Sequence, residues 1–417
     1  MLHTNTKTLA KLLNINCVTN VEFSGIYTDT RKSMDGGIFL AIIGDNFDAH
    51  DYIEKAEEMG ALAIIASKQV SSNLPVLKVD DTLQALSDIA KYHLNEIKPT
   101  TIAITGSNGK TTTKNLLANI LNLSAPTLKT QGSLNNHLGV PMTLLKLEPR
   151  HKYAVIEIGA NHLGEIAHLR QMVDPDIAVV TNTGDAHIGE FGSKENLIKA
   201  KGEIYSNHST NIVNTQTSFK GDISFGEGGD IYAGNITNNC FDLHISDNKA
   251  SVCLQLIGRH NIDNALAASA CAHALNIDID MIKTGLEATT AENGRLSIIK
   301  TSRFTLIDDS YNASPASIAA ALETLQNYKG ELVVVLGDMA ELGKDEIVLH
   351  QQIGVQTQKV TENLYTVGKL AKYYQGQNFD SKQALSEHLI KNHTGATILI
   401  KGSRVAQLDK LVKLLQK

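Results

Sequence analysis

The sequence predicts an α/β protein in three blocks, with a parallel sheet at its centre. Three observations carry this. Continuous apolar runs without alternation occupy 101–105, 154–158 and 177–182, the pattern of strands buried on both faces of a parallel sheet. The first run breaks at Gly106 into a glycine loop that opens a helical pattern, Leu116-Leu117 with Ile120-Leu121. At 417 residues the chain exceeds what one core usually organises, so two or three domains are expected.

The first block, 1–97, is a small α/β unit. An apolar run at 60–67 and the strand Val76-Leu-Lys-Val79 precede a helix at 82–93, which sets Leu83, Leu86, Ile89 and Ala90 on one face. The segment Asn95-Glu-Ile-Lys-Pro-Thr100 reads as a linker. The second block, 98–294, repeats strand–loop–helix units and holds a β-rich insert at about 210–257, where Gly, Asn and Asp punctuate short runs. The third block, 295–417, returns to the α/β rhythm. Strands are expected at Phe304-Thr-Leu-Ile307, Leu332-Val-Val-Val-Leu336 and Thr397-Ile-Leu-Ile400, and helices at 315–328, 345–360 and 405–416.

Composition sets the class. The balance of 42% hydrophobic and 20% charged residues is that of a globular protein, and a net charge of −6 argues against broad binding to nucleic-acid phosphates. Cys17, Cys240, Cys253 and Cys271 have no zinc or redox spacing and read as reduced thiols of a cytosolic protein. The N-terminal Met1-Leu-His-Thr-Asn-Thr-Lys7 lacks the apolar core of a signal peptide, and no apolar run approaches the roughly 20 residues that span a bilayer. A cytoplasmic location without membrane insertion is expected.

The chemistry gathers at strand ends. In Thr105-Gly-Ser-Asn-Gly-Lys-Thr-Thr112, glycines let backbone N–H groups approach phosphates, and the helix start adds partial positive charge. Lys110 supplies a full charge for the β- and γ-phosphates, and the Thr111 hydroxyl is placed to reach Mg²⁺. The usual phosphate loop has glycine where this chain has Ile104, and the plainer alternative is an ordinary strand-to-helix turn. Glu157 lies in the next strand, before Gly159-Ala-Asn-His162. The strand after it runs into Thr181-Asn-Thr-Gly-Asp-Ala-His187. A carboxylate suits Mg²⁺, whereas an imidazole fits Mn²⁺ better; a buried carboxylate and a loop histidine are the alternatives. Leu197-Ile-Lys-Ala-Lys-Gly-Glu-Ile204 reads by pattern as a solvated helix face. Gly258 is expected to end a strand, after which Asn261 and Asn264 share a helix face, able to read an adenine edge or to cap the helix. Turn chemistry accounts for much of Asp308-Asp-Ser-Tyr-Asn-Ala-Ser-Pro315, though less readily for Asp308, Asp309 and Tyr311 together.

With these residues in view, the chain resembles the Mur ligases, ATP-dependent amide-forming enzymes of peptidoglycan synthesis. The resemblance rests on the loop at 105–112, Glu157, His187 and Gly258-Arg-His-Asn-Ile-Asp-Asn264. Further matching stretches are Thr28-Asp-Thr-Arg31, Gly44-Asp-Asn-Phe-Asp-Ala-His50, 135–145, 157–162, 309–315, Gly337-Asp-Met-Ala-Glu-Leu-Gly343 and Lys401-Gly-Ser-Arg404, so it covers nearly the whole chain. The family's shortened glycine loop accounts for Ile104. The resemblance implies a UDP-binding N-terminal domain, a central P-loop ATPase and a C-terminal Rossmann-like domain.

The resemblance also implies the reaction. A peptide carboxylate attacks the γ-phosphate of ATP and becomes an acyl phosphate, and an amine then displaces phosphate. Here the donor would be a UDP-N-acetylmuramoyl-tripeptide and the amine D-alanyl-D-alanine. Gly106, Ser107, Asn108, Gly109, Lys110, Thr111 and Thr112 would bind the ATP phosphates, Asn261 and Asn264 would lie at the adenine, and Arg295 and Asp309 would reach the nucleotide from the third domain. Thr111, Glu157, His187 and Lys201 would hold Mg²⁺ (or Mn²⁺), with Lys201 carbamylated. Lys110, Glu157, His187 and Lys201 would form the catalytic set. Thr28, Asp29, Thr30 and Arg31, with Asn46, Phe47, Asp48 and His50, would contact the UDP-sugar, and Asn135 and Asn136 the muramoyl-peptide. Asn312, Ser314 and Arg404 are candidates on the dipeptide side, although Ser314 stands where the family often has asparagine. A monomer is expected, without a nucleic-acid partner.

Three alternatives stand beside this reading. A phosphate-loop kinase or switch would need only the central block, and the polar strand ends of the third block argue against it. A silent nucleotide-binding scaffold is disfavoured by Lys110, Glu157, His187 and Lys201 occurring together. A ligase adding a single amino acid, or one like folylpolyglutamate synthetase, is disfavoured by the stretches at 44–50 and 309–315.

Overall fold

A computed structural model describes residues 1–34, 36–44, 46–184 and 188–416. The chain is mixed α/β with parallel sheets and divides into two compact units, the first being Met1–Ile104, Ser124–Ala160 and Gly164–Ala178, the second the remainder.

In the first unit, His3–Asn5 pairs antiparallel with Glu22–Ser24. A four-stranded parallel sheet follows, in the order Ile26–Tyr27, Ile38–Leu40, Ile64–Ala66, Val76–Lys78. Phe39, Ile53, Ala56 and Ile64 build the core on one side of it. The helix Thr82–Ile97 begins where the Asp81 carboxylate caps the Leu83 and Gln84 N–H groups. It runs farther than the 82–93 expected. It ends at Lys98, whose φ of 51° turns the chain before Pro99, and the strand Thr100–Thr105 starts at once. The expected linker at 95–100 therefore shrinks to two residues, because Asn95–Ile97 complete the last helical turn. A parallel trio places Tyr153–Glu157 between Thr127–Lys129 and Thr100–Thr105, with Glu157 in register with Ile104.

In the second unit, Thr210–Asn214 and Ile223–Phe225 pair in parallel, and Ile231–Thr237, Cys240–Ile245 and Asn248–Cys253 form an antiparallel meander. The expected β-rich insert is there. Its last strand ends at Cys253, so Gly258 does not end a strand as expected; four residues lie between the two, and Gly258 turns at φ 95° just before the helix His260–Ala274. Cys240 and Cys253 face each other across two strands, Cα to Cα 4.0 Å, and are joined in a disulfide. This corrects the reading of all four cysteines as reduced. The antiparallel register brings the pair together, and a separation of 13 residues carries no motif.

The same unit holds a six-stranded sheet, ordered Ser297–Lys300, Thr305–Asp309, Thr397–Lys401, Leu332–Gly337, Leu364–Val367, Gln377–Phe379, with only the first strand antiparallel. Burial on both faces explains why its strands read as unbroken apolar runs. Val334 and Leu336 pack on one face with Ile318, Leu322 and Tyr374, while Val333 and Val335 pack on the other with Leu385, Leu389 and Leu411. Because Thr397–Lys401 returns between the strands at 305 and 332, the strand order switches there. The carboxyl ends of such strands are where open α/β sheets bind ligands.

Candidate active site

The glycine loop closes on partners that leave no room for side chains. Gly106 sits at φ 147° and Gly109 at φ 80°, conformations that L residues avoid. A Cβ on Gly106 would lie 2.0 Å from Thr181 Oγ1, and one on Gly109 would lie 2.1 Å from Asn264 Oδ1. The 181–184 segment is stitched to the loop. Ser107 Oγ donates to Gly184 O (2.8 Å), Asn108 N to Asn182 Oδ1 (3.1 Å) and Thr181 Oγ1 to Asn108 O (2.6 Å). The helix Lys110–Ser124 begins directly on the loop, so its first N–H groups point toward it. Lys110 Nζ donates to the carbonyls of Gly106 (2.7 Å) and Ser107 (3.3 Å), which folds the ammonium back over the loop. Thr112 lies on the first turn of the same helix.

Asn261 and Asn264 do share a helix face, and they are buried and bonded to each other: Asn264 Nδ2 donates to Asn261 Oδ1 at 3.0 Å. Asn261 Nδ2 donates to Ile257 O (2.7 Å), and Asn264 Oδ1 accepts from Thr113 Oγ1 (3.4 Å). The pair therefore fastens this helix to the phosphate loop.

Arg295 reaches the loop from the other direction. Its Nη2 donates to Thr111 Oγ1 at 3.0 Å, and its guanidinium lies 4.0 Å from the Tyr311 ring centroid. Glu292 supports it, accepting from Asn115 Nδ2 at 2.6 Å on the phosphate-loop helix. Leu296 turns at φ 53° and donates its N–H to Asp309 Oδ1 (3.2 Å).

At the carboxyl ends of the six-stranded sheet, Asp309 and Lys401 form a buried ion pair, and Lys401 Nζ also donates to Asn312 O (2.9 Å). Burial raises the Asp309 carboxyl above the usual carboxylate range, against the opposing pull of Lys401 and Arg295. Burial likewise raises Asp308, which accepts from Gly294 N (3.1 Å) and Ser310 N (3.1 Å). Ser314 caps the helix Pro315–Leu325 in a reciprocal box with Ser317, so its hydroxyl serves the backbone. Asn312 is exposed and turns its Oδ1 to Ala313 N (2.9 Å). Arg404 is mostly exposed, 3.8 Å from Asp409.

The first unit carries the remaining candidates. Glu157 is buried at the end of its strand, its N–H bonded to Thr130 Oγ1 (2.9 Å) and its Oε1 accepting from Asn135 Nδ2 (2.8 Å). Asn136 Oδ1 accepts from Gly139 N (2.8 Å) and starts the helix Gly139–Leu144. Thr28 and Thr30 are half-buried after the strand Ile26–Tyr27. Between them Asp29 takes a two-point contact from the exposed Arg31 (2.8 and 2.9 Å), which lowers its carboxyl to about 2. Asn46 and Phe47 are exposed on a short hairpin. Asp48 bonds His50 Nδ1 (2.6 Å) and pairs with Lys68, which with His50 holds its carboxyl well below the usual range. Ser67 N donates to His50 Nε2 (3.0 Å), so Nδ1 carries the proton toward Asp48.

Lys201 is buried, its Nζ 5.1 Å from the Phe191 ring centroid, which corrects the solvated-face reading of its helix. His187 lies outside the described residues. Sequence reasoning assigned no role to Glu292, Tyr311, Lys401 or Asp338. The last, inside the 337–343 motif, accepts from the N–H groups of Leu370 (2.9 Å) and Ala371 (2.7 Å), tying two strand ends together. Only the motif positions of Tyr311, Asp338 and Lys401 hinted at them.

Known proteins resemble this chain in sequence and in fold. Residues 104–272 match the Mur ligase middle domain, and 294–404 match the Mur ligase glutamate ligase domain. The UDP-N-acetylmuramoyl-tripeptide–D-alanyl-D-alanine ligase of Haemophilus influenzae is 35% identical over 99% of this chain and 98% of its own. The Escherichia coli protein of the same name is 38% identical over 95% and 94%. A crystal structure of MurF from Acinetobacter baumannii superposes with a TM-score of 0.95 at 34% identity, covering 100% of this chain and 99% of that one. MurF ligase from Thermotoga maritima in complex with ADP gives 0.86 at 26%, covering 94% and 97%. Folylpolyglutamate synthase from Thermotoga maritima, at 15% identity and a TM-score of 0.62, covering 80% of this chain and 93% of that one, shares the fold. With relatives this similar along the full length of both chains, the chain belongs to the Mur ligase family.

Proposed function

We propose that the chain is the ATP-dependent ligase that joins D-alanyl-D-alanine to a UDP-N-acetylmuramoyl-tripeptide, making a peptidoglycan precursor. The observation that carries this is the match, nearly end to end, to relatives bearing that name in organisms as distant as Escherichia coli and Bacillus subtilis. A carboxylate is a poor electrophile. Its attack on the γ-phosphate of ATP gives an acyl phosphate and ADP; the dipeptide amine then adds to the acyl carbon, loses a proton and expels phosphate.

Two anions must approach each other in the first step, so cations must offset their repulsion. Lys110, over the loop, and Arg295, at Thr111, supply that charge, and the loop N–H groups with the helix start cradle the phosphates. Asn261 and Asn264 position the adenine side, and Asp309 orients Arg295 through the backbone of Leu296. Asp29, Arg31 and the exposed Phe47 take the UDP-sugar, Asn135 and Asn136 the muramoyl-peptide, and Asn312 and Arg404 the dipeptide. We place the domain boundaries at 97/98 and 294/295; the second lies close to residue 294, where the C-terminal matched segment begins.

The donors suit Mg²⁺. Thr111 offers a hydroxyl and Glu157 a carboxylate, both hard oxygens, and Mg²⁺ typically takes one or two protein ligands beside phosphate and water. Among the described residues no group of three or more His, Cys, Asp and Glu is placed to hold a metal ion. Lys201, as a carbamate, would exchange a cation for an oxygen donor, with His187 completing the set. When bound, the cation neutralises phosphate charge. In this reading the enzyme acts on small molecules, in the cytoplasm and as a monomer. No helix among the described residues is long and apolar enough to cross a membrane.

Phosphate release tests the assignment, using UDP-muramoyl-tripeptides carrying lysine or diaminopimelate. Turnover with D-alanyl-D-alanine and none with single amino acids is expected. The reverse preference would overturn the reading.

A further inference from the structure

We infer that Tyr311 is a positioning residue for the nucleotide: its ring face holds the Arg295 guanidinium on the phosphate-loop threonine before nucleotide arrives. This rests on the reading that Arg295 contacts the nucleotide.

Arg295 is long and flexible, and left to itself it would sample many rotamers. Three contacts remove that freedom. The Tyr311 ring lies under the guanidinium at 4.0 Å, within the range where a cation is drawn to an aromatic face. Thr111 Oγ1 accepts one N–H at 3.0 Å. Glu292 Oε2 stands 3.9 Å from Nε, and its other oxygen is anchored by Asn115 on the phosphate-loop helix.

The ring is itself held by the backbone. Tyr311 N donates to Gly294 O at 3.0 Å, and Gly294, at φ 77°, lets the two segments approach; a Cβ there would lie 3.2 Å from Tyr311 N. Gly294 N in turn bonds the buried Asp308. The strand end at 308–311 thus fixes the ring, and the ring fixes the cation. Stacking occupies a face of the guanidinium and leaves the edge donors other than the one bonded to Thr111 for phosphate oxygens, which planar forks suit. The ring face is what the contact needs, and the phenol hydroxyl is dispensable.

Binding of the non-hydrolysable β,γ-imido analogue of ATP to the full-length protein, measured by calorimetry with Mg²⁺ present, tests this. Tyr311→Leu is expected to bind about three- to tenfold more weakly, and Tyr311→Phe within about twofold of wild type. In an Arg295→Ala background, Tyr311→Leu should add no further loss, because the ring acts through the guanidinium. Wild-type affinity in Tyr311→Leu, equal losses in the Leu and Phe variants, or additive losses in the double variant would each overturn the inference while leaving Arg295 a nucleotide contact. Unchanged affinity in Arg295→Ala would remove the nucleotide reading of Arg295, and the role of Tyr311 with it.

Discussion

Lys401 and Asp309 stand directly opposite each other in the register of two adjacent parallel strands, and their side chains close into an ion pair with both partners nearly out of solvent. Taking one charge away from such a pair leaves the other buried and uncompensated, at a cost of roughly 3–5 kcal/mol. Lys401→Met is therefore expected to lower the stability of the C-terminal sheet by about that amount. Adding Asp309→Asn should recover part of the loss, since it removes the orphaned charge. Urea unfolding of the single and double variants checks this. A double variant less stable than Lys401→Met would refute the pairing as the source of the loss.

Lys110→Ala should cut acyl-phosphate formation by at least about a hundredfold, because the γ-phosphate loses a cation placed at the loop. ADP release in the absence of the dipeptide reads the first step alone. Normal release with the full substrate set would take Lys110 out of the mechanism.

The parallel strands were legible because burial on both faces writes itself as unbroken apolar runs, as at 332–336. The glycine loop was legible because its conformation needs glycine at 106 and 109. What failed depended on contacts that a local pattern cannot report. Arg295 and Thr111 are 184 positions apart, and only the fold brings them together. The helix at Lys194–Gly202 has the charge pattern of a solvated face, yet the chain covers Lys201 and sets the Phe191 ring beside it. Cys240 and Cys253 meet because the strands turn between Ile245 and Asn248, where Ser246 adopts φ 52°.

Lys201→Ala is expected to be inactive with the natural substrates. If the lysine works as a carbamate, a small carboxylate can enter the space its side chain leaves and offer the missing oxygen donor. Partial recovery of phosphate release with added acetate or formate is the expected result. Wild-type turnover by Lys201→Ala without any addition would exclude the carbamate role.

Stability should also fall with pH through His350. This imidazole is fully buried beneath the 337–343 segment: Met339 N donates to its Nε2 at 3.0 Å, and its Nδ1 faces Glu346 O at 2.6 Å. The neutral ring with its proton on Nδ1 satisfies both contacts, whereas a second proton would set N–H against N–H. Burial lowers its pKa below the ordinary 6.5, and the Glu346 carbonyl and the Asp338 and Glu346 charges only partly oppose that. The unfolded chain thus binds a proton more readily than the folded one. The contribution is complete above about pH 6.5 and is lost as pH falls from there toward the lowered folded value. Thermal midpoints at about pH 7.5 and 5.5 should differ more in wild type than in His350→Gln, which cannot take up the proton. Other buried histidines, such as His93, contribute equally to both proteins and cancel in the comparison. Equal pH dependence in the two proteins would show that His350 does not carry it.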